Sequence, residues 1–362
     1  MLTILVLIVA LPWMLSVANV MCVEHPRPLC GGEANIDCYL AVRNECERIE
    51  HCIDSLLDQS TIARIIVIDD SSEDTTLVRL DAIARLDARV VVLTRNAVDA
   101  FAPGKSGALA SAISQCEPQE PWLLFTDADV RFDTGGVRGL LLAAQRTHST
   151  MISAWLRCTS TSVWSRLLAP QVTLFLMRFL PFSAVVLRDA RFAAANGQCM
   201  LIQRDCYVKS GGHAGLVDLV EDVALARAVK SVGGILRLAS GRRIGTHLGY
   251  STLAENFHGY GRSLAYGLGG VGAVLFALWQ FGSVAFILVL CARVAPFGVA
   301  WILVVFLLVR FGNALAFSEN VLSIALAPVG DLLFGIAAVI GAYERRTGGT
   351  CWRGRTVNGA KP

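Results

Sequence analysis

The sequence is short of charge. Of its 362 residues only 17% are Asp, Glu, Lys or Arg, and 54% are hydrophobic. Ordinary globular domains carry about 25% charged residues, and the mean hydropathy here is +0.54. A chain wholly exposed to water does not fit that balance. The apolar excess lies at the two ends, which predicts membrane segments around a water-soluble middle. A net charge of +3 is too small to point to nucleic acid. The eleven cysteines contain no C-x-x-C pair, which fits neither a disulfide framework nor a zinc site and predicts reduced thiols facing a cytosol-like compartment. No basic residue precedes the apolar run Leu2 to Val23, and no charge appears before Glu24. The run exceeds the ~7–15 residues of a signal-peptide core and matches the ~20 that span a bilayer. Residues 1–27 therefore read as a retained anchor, and Arg27 puts its C-terminal side in the cytoplasm. A P-loop is missing too: Gly104-Lys105-Ser106 would need a glycine at 99, where Asp99 stands.

What is present begins with Trp122-Leu123-Leu124-Phe125-Thr126-Asp127-Ala128-Asp129. A buried strand runs into two carboxylates separated by one small residue. In open α/β sheets ligands bind at the carboxyl ends of strands, and Mg²⁺ takes one or two carboxylates plus substrate phosphates. Asp127 and Asp129 are thus candidate ligands for Mg²⁺ or Mn²⁺; a solvated loop or a helix cap is the other reading. Upstream, Ile36 to Val42 reads as a strand, and Arg43 to about Gln59 as an amphipathic helix with Ile49, Ile53, Leu56 and Leu57 on one face. Arg64 to Asp69-Asp70 is another apolar strand stopped by carboxylates, Val90 to Leu93 a third, and Pro103 to Leu109 a loop entering a helix. This alternation predicts a mostly parallel α/β sheet. Lys105 at that helix start is either a surface lysine or a phosphate contact. Glu221 and Asp222 open a helix from Val223 to Val232; the helix dipole favours carboxylates there, and one of them is also a candidate proton acceptor. A strand from Gly234 to Leu238 follows, with His247 after it; His247 and His258 read as surface residues.

Residues 155–192 mix apolar side chains with Arg157, Arg166, Arg178 and Arg188. Pro170 and Pro181 would cut the run to pieces of about ten residues, too short to span. The segment reads as helices lying at the membrane interface, or as a buried helix pair. Three C-terminal stretches, Val271 to Leu290, Val299 to Phe317 and Val321 to Ile340, are each long enough to span. Positive-inside places the basic tail 344–362, with Arg345, Arg346, Arg353, Arg355 and Lys361, in the cytoplasm. Three full spans would carry it outside, so either one stretch is re-entrant or the tail breaks the rule. Arg310, inside the second stretch, pairs with Glu319 or Asp331, meets a lipid headgroup, or snorkels at a broken helix.

The ordered pieces Ala41-Val42-Arg43-Asn44-Glu45, Val67-Ile68-Asp69-Asp70-Ser71-Ser72, Gly104 to Leu109, Thr126-Asp127-Ala128-Asp129 and Val220-Glu221-Asp222 resemble the nucleotide-sugar-dependent glycosyltransferases of family 2. Trp155 to Cys158, Trp164 to Pro170, Cys199 to Arg204, Glu221 to Lys230 and Trp352 to Arg355 are similar to its membrane-bound hopanoid-associated and carotenoid branch. The resemblance implies an α/β GT-A domain, Rossmann-like, over residues 28–267, flanked by transmembrane segments 1–27 and 268–343. It implies that Arg43, Glu45 and Asp70, with Asp69 beside them, contact the nucleoside, selecting uridine. It further implies that Asp127 and Asp129 bind the metal–diphosphate, that Asp222 is the base of an inverting displacement, and that Glu221 is its neighbour. Many relatives carry a Gln-x-x-Arg-Trp motif. It is absent here, Phe257 to Arg262 standing in its place, with Arg262 the nearest candidate for the arginine; that puts processive polysaccharide synthesis in doubt. The expected partners are a nucleotide-sugar donor, a lipid acceptor and the bilayer, with no nucleic acid, and the catalytic domain faces the cytoplasm. The rivals are a polysaccharide or polyprenyl-phosphate sugar transferase and a silent membrane scaffold of the same fold.

Overall fold

A computed structural model describes residues 2–95, 101, 104–216, 220–293, 296–317, 319–348, 351–352 and 355–356. Asp99, Pro103, Asp218, Arg353 and Lys361, on which parts of the sequence reading rest, lie outside the described residues. The chain divides into two compact units. A sheet unit comprises Glu24–Arg157, Val185–Leu248 and Cys351–Pro362; a helical unit comprises Met1–Val23, Cys158–Ala184 and Gly249–Thr350.

The sheet unit holds strands β1 (Ile36–Val42), β2 (Ile62–Asp69), β3 (Val90–Thr94), β4 (Trp122–Thr126), β5 (Val130–Phe132), β6 (Met151–Cys158), β7 (Cys199–Gln203) and β8 (Leu236–His247). They form one eight-stranded sheet in the order β3-β2-β1-β4-β7-β6-β8-β5. Pairs β2–β3, β1–β2 and β1–β4 are parallel, while β4–β7, β6–β7 and β5–β8 are antiparallel. The sheet is therefore mixed, where the sequence predicts a mostly parallel one. Strand–helix–strand alternation holds only as far as β4; beyond it the strands return beside one another in opposite directions, and hydrophobic periodicity carries no direction.

Residues Ile65, Val67, Leu124 and Leu201 fill one side of the core with Ile49, Cys52, Ile53 and Leu56 from the helix Ile49–Leu57. That helix begins six residues later than the sequence pattern suggests. Asn44 has φ 53°, and the N–H groups of Glu45 and Cys46 donate to Thr76 Oγ1 at 2.8 Å and Asp74 Oδ2 at 3.3 Å, so side chains satisfy the donors that a helix would use. Strand β8 is longer than predicted and carries His247 within it. At the N-terminal end of β1, fully buried Asp37 holds Arg64 through two bonds of 2.8 and 2.6 Å and accepts from the main-chain N–H groups of Gln119 and Glu120.

In the helical unit, Pro170 lies inside one 17-residue helix, Val163–Phe179, instead of ending it. Proline cannot donate to the carbonyl four residues back; here Asn320 Nδ2 donates to that carbonyl, Arg166 O, at 2.8 Å. Asn19, on the N-terminal helix Leu2–Cys22, donates to Met177 O and Leu180 O at the far end and accepts from Phe182 N. The helical stretch Leu253–Arg293, which kinks at Gly269 (φ 78°), and the helix Ala327–Thr347 cross closely where Gly261 meets Ala337 and Gly341: a Cβ on Gly341 would lie 1.9 Å from Gly261 O. Small residues four apart let helix backbones approach in this way. Among the described residues two segments are long and apolar enough to cross a membrane, Leu253–Val289 and Ala327–Thr347; Phe306–Phe317 is a shorter apolar segment. The third predicted stretch is broken at Leu326, between helices Val321–Ala325 and Ala327–Thr347. Arg178 enters the interior, against the expectation of an interfacial arginine, because Asp331 Oδ1 meets it at 3.3 Å. Arg310 is fully buried, donates to Ser323 O at 2.7 Å and lies 3.9 Å from Asp331.

Candidate active site

The carboxyl ends of β2, β1 and β4 lie side by side, since Val42 pairs with Asp69 and Tyr39 with Phe125. Chain after β1 and β2 turns sharply, with left-handed backbone at Asn44 (φ 53°) and Ser71 (φ 61°), a conformation that costs an L-residue energy and persists only where the surroundings fix it. Arg43 is what fixes it. Nearly buried, it donates through Nη1 to Asp70 O (2.8 Å) and Ser71 O (3.0 Å) and pairs through Nη2 with Glu73 (2.9 Å). Asn44 Oδ1 accepts from Glu73 N, and Asn44 N donates to Ser72 Oγ. Asp69 accepts from Ser72 N at 3.0 Å through Oδ2, while its buried Oδ1 has no hydrogen-bond partner. Asp70, 1% exposed, pairs with Arg95 at 3.2 Å. Glu45 lies 3.8 Å from Arg48.

One strand over, β4 delivers Asp127 and Asp129. The buried Cys52 thiol donates to Asp127 O at 3.5 Å, and burial keeps that thiol protonated. Lys105, the first residue of the helix Lys105–Gln115, bridges Asp127 Oδ1 at 2.6 Å and Glu221 Oε1 at 3.0 Å. Beside it the loop 196–198 is tied to β4 by Thr126 Oγ1 donating to Gln198 O at 2.8 Å. Gly197 N donates to Asp222 Oδ2 at 2.9 Å, and Val223 N to Asp222 Oδ1 at 2.7 Å. Any side chain at 197 would intrude: a Cβ there would lie 2.9 Å from Lys105 Nζ and 3.3 Å from Glu221 Oε1.

The electrostatics follow from one cation among several acids. Burial alone would lower the Lys105 pKa, but Asp127 and Glu221 outweigh it and raise the value, so the ammonium is fixed. Burial likewise favours neutral Glu221, and Lys105 reverses that, holding it ionised. Asp222 lacks such a contact: burial and then the Glu221 charge push it up to about 7 against the opposing pull of Lys105. It is the group here poised to exchange a proton near neutrality.

The structure thus brings together Lys105, Asp127, Glu221 and Asp222, and sets Arg43, Asp69 and Asp70 at the adjoining strand ends. Arg262 belongs to the helical unit, half-buried on the helix Leu253–Arg293. Two residues of this region, Arg95 and His213, escape sequence reasoning, and a third, His247, is placed differently from its reading. Arg95 neutralises Asp70. His213 is 1% exposed, has Nδ1 2.9 Å from Tyr207 OH and is held neutral by burial, its pKa down to about 3. His247 closes β8 opposite Val130 and is held down to about 4 by burial, with Asp127 acting against the shift. It is half-buried, not the surface residue expected.

Residues 38–207 match the model of Glycosyl transferase family 2. They are a family 2 glycosyltransferase domain. The sheet unit has the α/β GT-A fold. A mannosyltransferase from Pyrobaculum calidifontis, solved with GDP-Man and Mn²⁺, overlays with a TM-score of 0.59 at 13% identity, covering 94% of this chain and 99% of that one; the fold is shared. Two further structures overlap more loosely. Glucosyl-3-phosphoglycerate synthase from Mycobacterium tuberculosis, solved with Mn²⁺, UDP-Glc and phosphoglyceric acid, gives 0.40 at 21% identity over 61% of this chain and 74% of that one. S. aureus TarS 1–349 gives 0.42 at 11% over 87% and 92%. No curated protein matches the chain.

Among the described residues no three His, Cys, Asp or Glu side chains are grouped to hold an ion unaided. Paired oxygen donors at a strand end, one of them already bound to the Lys105 ammonium, fit a hard divalent cation whose remaining ligands are phosphate oxygens and water.

Proposed function

We propose that this family 2 glycosyltransferase is an integral membrane enzyme that inverts the anomeric centre, moving a sugar from a UDP-linked donor to a hydroxyl or carboxyl of a membrane lipid such as a hopanoid or carotenoid. The observation that carries the reading is the Lys105–Asp127–Glu221 bridge beside an Asp222 poised near neutrality, at the strand ends next to Asp69 and Asp70. The unpartnered Asp69 Oδ1 supports an acceptor for a nucleobase imide N–H. Asp70, held by Arg95, lies beside it, and Arg43 and Glu45 frame the nucleoside. Lys105 sits at a helix N-terminus, where the dipole and its own charge suit a diphosphate. Asp127 and Asp129 would hold Mg²⁺ or Mn²⁺, which when bound supplies Lewis-acid neutralisation of the leaving diphosphate. Asp222 takes the proton from the attacking group, Glu221 tunes it, and Arg262 is the candidate for a further diphosphate contact. The helices Leu253–Val289 and Ala327–Thr347, with the N-terminal helix, support anchoring in the cytoplasmic membrane, the catalytic domain facing the cytoplasm where nucleotide sugars are made.

A polyprenyl-phosphate acceptor would need no base, so tolerance of Asp222→Asn would favour that alternative. The test is UDP release by detergent-purified protein with UDP-glucose, UDP-galactose, UDP-N-acetylglucosamine or GDP-mannose, with Mn²⁺ or EDTA, and with or without host lipids. Release with one UDP-sugar, stimulated by lipid, stopped by EDTA and lost in Asp129→Ala is expected. Absence of both release and donor binding under every condition would leave only a silent scaffold.

A further inference from the structure

A cleft of about 70 Å³ opens within the helical unit, with Arg178, Trp13, Trp279, Ser283, Val284 and Leu288 in its lining. Arg178 is 2% exposed. Its Nη1 reaches Asp331 Oδ1 at 3.3 Å and Gln280 Oε1 at 3.5 Å. The Trp13 ring covers one face of the guanidinium, its centroid 3.9 Å from Cζ. Nε and Nη2 have no hydrogen-bond partner, and together they carry about three N–H donors. Ser283 Oγ, on the same cleft, is buried and unpartnered as well. Asp331 is shared, because fully buried Arg310 lies 3.9 Å from the same carboxylate oxygen. Glu319, the second acid of this cluster, accepts from Thr173 Oγ1 at 3.0 Å. Donors of a buried cation left unmet are costly, and these donors suit an acceptor with more than one oxygen. Its remaining wall is apolar. Val284, Ile287 and Leu288 belong to the segment Leu253–Val289, apolar enough to cross a membrane, and Leu288 is 65% exposed at the outer side.

An anionic head beside a hydrocarbon wall is the signature of an amphiphile. We propose that this cleft binds an anionic membrane lipid, its phosphate on Arg178 and Ser283 and its chain along Val284, Ile287 and Leu288. Guanidinium donors match phosphate oxygens in a fork that an ammonium would not offer. The inference takes the helical unit to be embedded in a bilayer, as the proposed function does, but needs none of the transfer chemistry.

The full chain, in phosphatidylcholine nanodiscs, is titrated with dioleoylphosphatidic acid and followed by native mass spectrometry; dioleoylglycerol and inorganic phosphate are the separate arms. Saturable binding of one phosphatidic acid, none of dioleoylglycerol and at least about tenfold weaker binding of phosphate are expected. Arg178→Gln weakens the lipid roughly ten- to a hundredfold. Val284→Trp fills the cleft without removing the charge and does the same, with thermal unfolding unchanged; it decides the matter should Arg178→Gln fail to fold. Equal binding by wild type and Val284→Trp overturns the proposal. So does phosphate bound as tightly as the lipid, which would make this a site for free anions, or a cleft that binds neither and holds water alone. UDP release measured on the same samples reports the donor chemistry independently: its loss with lipid binding intact would count against the proposed function and leave this site standing.

Discussion

Asp222→Asn tests the proposed chemistry at its most exposed point. With the Asp222 pKa near 7, a base is ionised in roughly a tenth of molecules at pH 6 and nine-tenths at pH 8. The donor-side kcat/KM, which reports the free enzyme, should rise about tenfold between those values and then level off. Removing the base should cost about 10²–10⁴ in rate and flatten the profile. The neighbours provide a signed check. Glu221 raises the Asp222 pKa and Lys105 lowers it, so Glu221→Gln should move the rising limb to lower pH and Lys105→Met to higher pH. Stability should run the other way: the folded pKa of about 7 lies above the unfolded carboxylate value of ~3.9. The native state therefore holds the extra proton across that interval, and stability falls as pH rises through it. Stopped-time assays of UDP release over pH 5–9, about the range the neighbouring groups tolerate, measure the first effect, and urea unfolding at the same pH values the second. An Asp222→Asn enzyme that keeps more than about a third of wild-type activity with an unchanged pH profile would refute the base assignment.

Asp37→Ala should remove the carboxylate joining Arg64 to the Gln119 and Glu120 N–H groups, costing about 3–5 kcal/mol; a low urea midpoint or insoluble protein checks it, and wild-type stability would count against the buried-pair account. Gly341→Val should force apart the two crossing helices, since even a Cβ would overlap Gly261 O; thermal unfolding in detergent should drop by several degrees, and no change would mean that the helices cross elsewhere. Asn320→Ala leaves Arg166 O without its donor and removes the side-chain cap on Ser323 N, a loss of about 1–2 kcal/mol to be read in the same unfolding experiment.

The strands β1 to β4, their helices and the acidic strand ends were legible because each is a local pattern: apolar runs of strand length, stopped by carboxylates, with the chain direction alternating through helices. The same locality explains the errors. Hydrophobic pattern does not encode strand direction, so the antiparallel placing of β7 between β4 and β6 was invisible, as was the full length of β8. Pro170 looked like a breaker because its remedy, the Asn320 side chain, lies 150 residues away. His213 and Arg95 gave no motif at all; their roles come from being buried against Tyr207 and Asp70.

By itself, then, the sequence determined which residue types stand at the strand ends and which stretches are apolar enough for a bilayer, since both are properties of neighbours along the chain. Only the tertiary structure decided their charge states and company. It joined Lys105 to Asp127 and Glu221, set Asp222 where burial and the Glu221 charge outweigh the pull of Lys105, and drew Arg178 and Arg310 onto one carboxylate, because burial and through-space charge act between residues that the sequence keeps far apart.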